Sequence, residues 1–324
     1  MPSQNLIEIK KVKEDPEARL RGLIKNSERK IRAAFLTAIA NIKNQTTLND
    51  IINYLESGNI TEALKLADII PSAIGSAISF SVIASGESAA ILIGSMINNV
   101  TLFDFTSPRA VEIMQSSKLR LIREFSVEQT NATREALIEG IRNGDNPRVQ
   151  AKAFRDSIGL TQKQVKAVEN YKRLLQEGSS ESLSRKLRDA RFDPTIRRSI
   201  STNTPLTSVQ IDKMVNRYRE RYISHRAEVI ARTEALRAVH QGSEEMYQQA
   251  FDNGDLDPTQ LIRKWVTAKD SRVRDSHNGM NGQLRQIGEP FVSDFGNLIR
   301  YPGDTTAPGS EVIQCRCVVT TRFL

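Results

Sequence analysis

Between residues 210 and 222 the apolar side chains Ile211, Met214, Val215, Tyr218 and Tyr222 recur at i, i+3, i+4, i+7 and i+11, a single stripe along a helix. Lys213, Arg217, Arg219 and Arg221 lie off that stripe. Val229, Ile230, Ala231, Ala235, Leu236 and Val239 carry a second helical face through 226–240. A period near 3.6 held over this distance cannot be satisfied by a strand, so the middle of the chain is predicted to be a long basic amphipathic helix, broken near Ser224. Composition agrees: 39% apolar and 26% charged residues describe an ordinary folded chain, and an aromatic content of only 6% favours aliphatic helix packing over a β-sandwich. With 324 residues there is room for two or three domains.

Helical readings dominate the rest of the first half. Ile31, Ala34, Phe35, Ala38 and Ile42 share one side of a helix over 30–43, and Thr47, Leu48, Asn49 and Asp50 stand near the start of the next. Ser57-Gly58-Asn59 reads as a turn into a helix from Ile60. Phe103, Phe105 and Pro108 interrupt the pattern and mark a first boundary. Beyond it a helix is expected over 110–141, a break at Asn143-Gly144-Asp145-Asn146-Pro147, a helix over 148–157, and one over 162–176 capped by Thr161. Residues 178–180 and 199–204 read as polar linkers. The expected fold class is mainly α: a helical bundle over 1–105 suited to docking or oligomerisation, a helical connector over 106–160, then basic helices over 161–250 and a small strand-containing α+β part over 261–324.

Residues 69–86 run 18 positions without a charge. Five Ser, two Gly and one Pro dilute them, whereas a spanning helix needs about 20 predominantly apolar residues. A helical hairpin with 89–100 is expected instead, its spacings Ala73/Ala77 and Gly75/Ser79 allowing close backbone approach within this chain or to another copy. Insertion into a host membrane is the alternative. No leader is visible in 1–30, and two cysteines one residue apart make a poor disulfide, so a reducing compartment is expected.

The net charge of +8 is concentrated: residues 151–240 hold 19 Lys and Arg against 10 Asp and Glu, a local net of +9. Lys213, Arg217, Arg219, Arg221, Arg226, Arg197 and Arg198 are therefore candidates for contact with DNA phosphates. A solvated helix face explains the same residues without DNA. Nothing in the sequence reads base edges, so any DNA contact is non-specific.

After Asn253-Gly254-Asp255 the character changes. Residues 261–267 are rich in strand formers, and in 312–321 alternation places Ile313, Cys315, Cys317, Val319 and Thr321 on one face of an expected strand. Two readings of that face stay open. Cys315 and Cys317 are two small buried hydrophobes beside a hydrogen-bonded His277, or with His277 they supply three of four zinc ligands, completed by Asp270, Asp275 or Asp304. A polar network of Arg232, Glu234, Asp270, Arg272, Arg274 and His277 is also expected, with Glu234 and Asp270 accepting from the arginines.

Several segments resemble one family in wording and order. They are Ile158-Gly159-Leu160-Thr161, Leu187-Arg188-Asp189-Ala190-Arg191-Phe192-Asp193, Arg226 to Ala235 with its Arg232-Thr233-Glu234, the run from Trp265 to His277, Gly282-Gln283, Glu289-Pro290-Phe291, Tyr301-Pro302-Gly303-Asp304 and Cys315-Arg316-Cys317. Over 150–324 the chain thus resembles the phage Mu F-like head morphogenesis family, minor head proteins of tailed bacteriophages. That resemblance implies a non-enzymatic virion component, inside the head near the portal and in the host cytoplasm during assembly. It implies portal protein, capsid or scaffolding protein, packaged double-stranded DNA and further copies of itself as partners. Some members carry a further enzymatic domain after the Cys-Arg-Cys segment, where here only 318–324 remain. Two other readings accompany it: an ejection protein acting on the host membrane, and a DNA-processing enzyme using Asp270, Arg272, Arg274 and His277. Against the enzyme, the sequence has no Gly-rich phosphate loop, His-Glu metal helix or nucleophile elbow.

Overall fold

The computed structural model of the chain describes residues 15–66 and 72–324. In order come α1 (Pro16–Gln45), α2 (Leu48–Glu56), α3 (Ile60–Lys65), α4 (Ser72–Ile97), α5 (Pro108–Arg142), α6 (Pro147–Ser157), α7 (Gln162–Gln176), α8 (Asp193–Ser201) and α9 (Ser208–Asp252). The C-terminal part holds β1 (Leu261–Val266), α10 (Asp275–Asn278), β2 (Leu284–Arg285), β3 (Phe291–Val292), β4 (Leu298–Ile299), α11 (Gly309–Val312) and β5 (Val318–Phe323). The fold is mainly α with a small C-terminal α+β module, as the sequence implies.

Helix boundaries follow local chemistry. Thr161 accepts from the Gln164 backbone N–H while the Gln164 side chain returns to the Thr161 N–H, a reciprocal capping box that starts α7 where expected. Asn146 caps α6 with Pro147 in its first turn. Two expectations are corrected. First, α9 runs unbroken through Ser224, because Ile223 and Ala227 continue its buried face on either side. Second, the apolar stretch forms no hairpin: α4 is one helix, and positions 69–71 lie outside the described residues. Gly86 does not end it, since the Phe103 ring fills the space its side chain would need.

Two compact units divide the chain. One comprises Met1–Ala34, Ser72–Leu119 and Val229–Leu324; the other comprises Phe35–Pro71 and Arg120–Glu228. Within the first, α4 and α9 approach so closely that a Cβ on Gly242 would lie 2.1 Å from the Val82 carbonyl oxygen. Ser85 donates across this contact to the Val239 carbonyl at 2.6 Å. Ala89, Ala90, Ile93, Phe103, Ala110, Met246, Tyr247, Ala250, Leu256 and Leu261 complete its core. The stretch Ile74–Ile97 is long and apolar enough to cross a membrane, with mean hydropathy 1.6, yet Ile74, Ile78, Val82 and Ile93 are all buried within the protein. Its small residues serve packing against α9.

The module's sheet has the order β2-β1-β5, antiparallel throughout, with Leu261 paired to Phe323 at one end and Val266 to Val318 at the other. β3 and β4 form a separate hairpin. In the other unit α2 packs on α6, and Ile51, Phe154, Val165, Val168, Tyr171, Leu174, Leu175, Ile196, Ile211, Met214 and Tyr218 are buried.

Candidate functional site

The β1/β5 register sets the end of β1, with Trp265 and Val266, beside the entry to β5. Cys315 and Cys317 stand immediately before β5, in irregular backbone. The strand expected over 312–321 therefore begins only at Val318: 309–312 is the short helix α11, and Gln314 turns the chain at φ 57. The two sulfurs nonetheless lie on one side, close to the same imidazole. Facing them, α10 supplies His277, whose Nδ1 lies 3.7 Å from Cys315 Sγ and 3.6 Å from Cys317 Sγ. All three are buried, and Trp265 closes edge-on over the imidazole at 5.4 Å between ring centres.

These distances fit an ion. With Zn–S of about 2.3 Å and Zn–N of about 2.0–2.1 Å at tetrahedral angles, a ligating sulfur and nitrogen stand about 3.6 Å apart. The carboxylates expected to complete the set are elsewhere. Asp270 is bound to Arg316, Asp275 is exposed in the first turn of α10, and Asp304 is held by Arg300 and Thr306. Instead a carboxylate missing from the sequence reading, Glu311 on α11, lies behind the imidazole: its Oε2 is 3.0 Å from His277 Nε2. Cys315 is held well below the usual thiol range by the hydrogen bond from Cys317 and by His277, while the Cys315 charge and burial push Cys317 up.

The polar network predicted as one unit separates into several. Glu234 pairs with Arg237 at 2.7 Å, and Arg237 also donates to the Gly303 carbonyl at 2.8 Å. Arg232 reaches Glu28 on α1 at 3.2 Å. Arg316 makes a two-pronged contact with Asp270 and holds its carboxyl down at about 2, leaving Arg272 at 3.6 Å. Arg274 donates to the Ile313 carbonyl, away from Asp270 and Glu234. Thr233, between Arg232 and Glu234, accepts from the Gln314 N–H and so supports the turn before the cysteines.

Of the DNA-contact candidates, Arg226 is corrected. It is 5% exposed, donates to the Gly159 carbonyl at 3.0 Å and pairs with Glu128, so no phosphate reaches it. Arg217 and Arg221 both approach the buried carboxylate of Asp189, and Arg219 pairs with Asp156 at 3.2 Å. Lys213, Arg197 and Arg198 are exposed and have no ion-pair partner among the described residues. Asp189, from the 187–193 segment, is the anchor that sequence reading missed; Arg191 holds its carboxyl far below the usual range. Also missed was Arg263 on β1, 1% exposed, which pairs with Glu244 and donates to the carbonyls of Gln286, Glu289 and Arg300. Its signal was a charge on the inward-facing register of a strand.

A long helix feeding a three-stranded sheet, with a buried Cys-His-Cys cluster at one end of that sheet, defines a mainly helical protein with a small α+β terminal module. Residues 206–320 of it match the family described as Phage Mu protein F like protein, about a third of the chain. The resemblance read from 226–235, 265–277 and 315–317 is thereby borne out, while the segments at 158–161 and 187–193 precede the matched region. No curated protein and no solved structure matches the chain.

Proposed function

We propose that this chain is a non-enzymatic phage head morphogenesis protein: a minor head protein inside the virion near the portal, aiding assembly and touching packaged double-stranded DNA. The match over 206–320 is the observation that carries this reading. Portal protein, capsid or scaffolding protein and further copies of the chain are its proposed partners. Lys213, Arg197 and Arg198 are the proposed phosphate contacts, since of the candidate cations they are the ones that are exposed and have no ion-pair partner among the described residues. Salt resolves this. Binding of the full chain to non-specific duplex DNA should weaken by orders of magnitude between roughly 50 and 200 mM salt if several phosphates are engaged. No binding at the lower salt would sink the DNA contact and leave an assembly factor held by protein alone.

We further propose that Cys315, Cys317 and His277 Nδ1 hold zinc. When bound, zinc cross-links α10 to the segment entering β5. The protein's own part is to present the three donors from a buried, preset cluster, with Trp265 keeping water off the imidazole face. Metal analysis of the purified chain should give about one zinc per chain, and a strong chelator should lower its melting temperature.

A further inference from the structure

Why a glutamate is buried on the far side of His277 is a separate question from what the sulfurs hold. Glu311 is 1% exposed, and a carboxylate removed from water is costly unless its oxygens are fully engaged. Here they are. Ser276 Oγ donates to Oε2 at 2.7 Å, Asn297 Nδ2 to Oε1 at 2.7 Å, and Ser293 Oγ reaches Oε1 at 3.4 Å. The donors come from α10 and from the loop between β3 and β4, so two separate segments converge on one side chain of α11.

The fourth neighbour is His277. Its Nε2 lies 3.0 Å from Glu311 Oε2, within ion-pair reach but out of hydrogen-bond alignment, and no other partner for Nε2 exists among the described residues. With a carboxylate at Nε2, the proton of a neutral imidazole belongs there, and the lone pair of Nδ1 is left facing the two sulfurs. A ligating histidine characteristically has its other nitrogen held by a carboxylate, which fixes both tautomer and ring orientation.

The geometry points to Glu311 as the positioning residue of this centre: through Nε2 it selects the His277 tautomer that offers Nδ1 to a zinc ion. Glu311 does not ligate, since it faces the opposite nitrogen. This assignment rests on the zinc reading, and the two fail differently. The test uses the full chain loaded with cadmium and labelled at histidine nitrogen, where metal–nitrogen coupling identifies the ligating atom, together with zinc affinity from chelator competition. The wild-type chain should show coupling to Nδ1 alone. Glu311→Gln should bind zinc roughly 10–100-fold more weakly and lose the exclusive Nδ1 coupling. Unchanged affinity with unchanged Nδ1 coupling would overturn the role of Glu311 and leave zinc standing. A wild-type chain that takes up neither zinc nor cadmium would overturn the zinc reading, and this one with it. Should Glu311→Gln fail to fold, Asn297→Ala removes a single donor to Oε1, and a loss of roughly tenfold with mixed coupling is expected. Wild-type behaviour of that variant would count against the proposal.

Discussion

Arg263→Met is the substitution that most directly tests how the C-terminal module is held together. The guanidinium is 1% exposed and makes five hydrogen bonds: two to the Gln286 carbonyl, one each to those of Glu289 and Arg300, and one to Glu244. Methionine keeps most of the length and apolar contact but leaves three carbonyls and a carboxylate without their donor. An unsatisfied buried acceptor costs about 1–3 kcal/mol. Gln286 and Glu289 are exposed and Arg300 is half-buried, so water can reach all three carbonyls and the lower value, about 1 kcal/mol each, applies. The Glu244 side chain is 25% exposed and rehydrates, adding about 1 kcal/mol more. The expected loss is about 4 kcal/mol, or roughly 8–16 °C in melting temperature for a unit of this size. Arg263→Lys supplies one compact charge for several dispersed acceptors and should recover about half of that. Thermal unfolding followed by circular dichroism, with proteolysis of the 284–300 segment as a local probe, measures both. A shift of under about 2 °C for Arg263→Met, or full recovery by lysine, would show that charge alone or nothing at all is needed at this position.

Other consequences separate packing from recognition. Gly242→Ala should destabilise by roughly 1–3 kcal/mol in chemical unfolding because its Cβ meets the Val82 carbonyl, whereas Gly22→Ala on α1, with nothing within 4 Å, should stabilise by about 0.5–1 kcal/mol. Replacing Lys213, Arg197 and Arg198 by Ala should flatten the salt dependence of DNA binding by about 0.9 per phosphate lost and move stability by no more than about 0.5 kcal/mol. Arg226→Met should do the opposite, costing about 3 kcal/mol and leaving the salt slope alone. Burial holds His240 neutral by lowering its pKa from 6.5 to about 3, so between those values only the unfolded chain takes up the proton. Stability should fall by about 1.4 kcal/mol per pH unit as pH drops through that window, in urea titrations, and His240→Gln should remove this part of the slope.

What could be read from the sequence and what could not divide along the range of the interactions. The cap on α7, the strand β1 and the stripe from Ile211 to Tyr218 are written in neighbours a few residues apart, and those expectations hold. The hairpin expected near Gly86 failed because the helix is stabilised there by Phe103, a ring that no local pattern announces. The cysteines were read onto one face correctly, though for the wrong reason: an irregular link, not a strand, aims them at His277. The charged residues of the long helix were the hardest. From Thr233 to His240 every position of α9 is buried, so this stretch is enclosed on all sides and not amphipathic. Each polar side chain there must find a partner distant in sequence or within the helix itself, as Glu234 does with Arg237 and Arg237 with Gly303. Helical periodicity tells which residues share a face; it does not tell how many faces other segments will cover. That is why Arg226 read as a phosphate contact and is a buried clamp on Glu128 and Gly159, and why Glu311, four residues from Cys315 in sequence, gave no sign of its place behind the histidine.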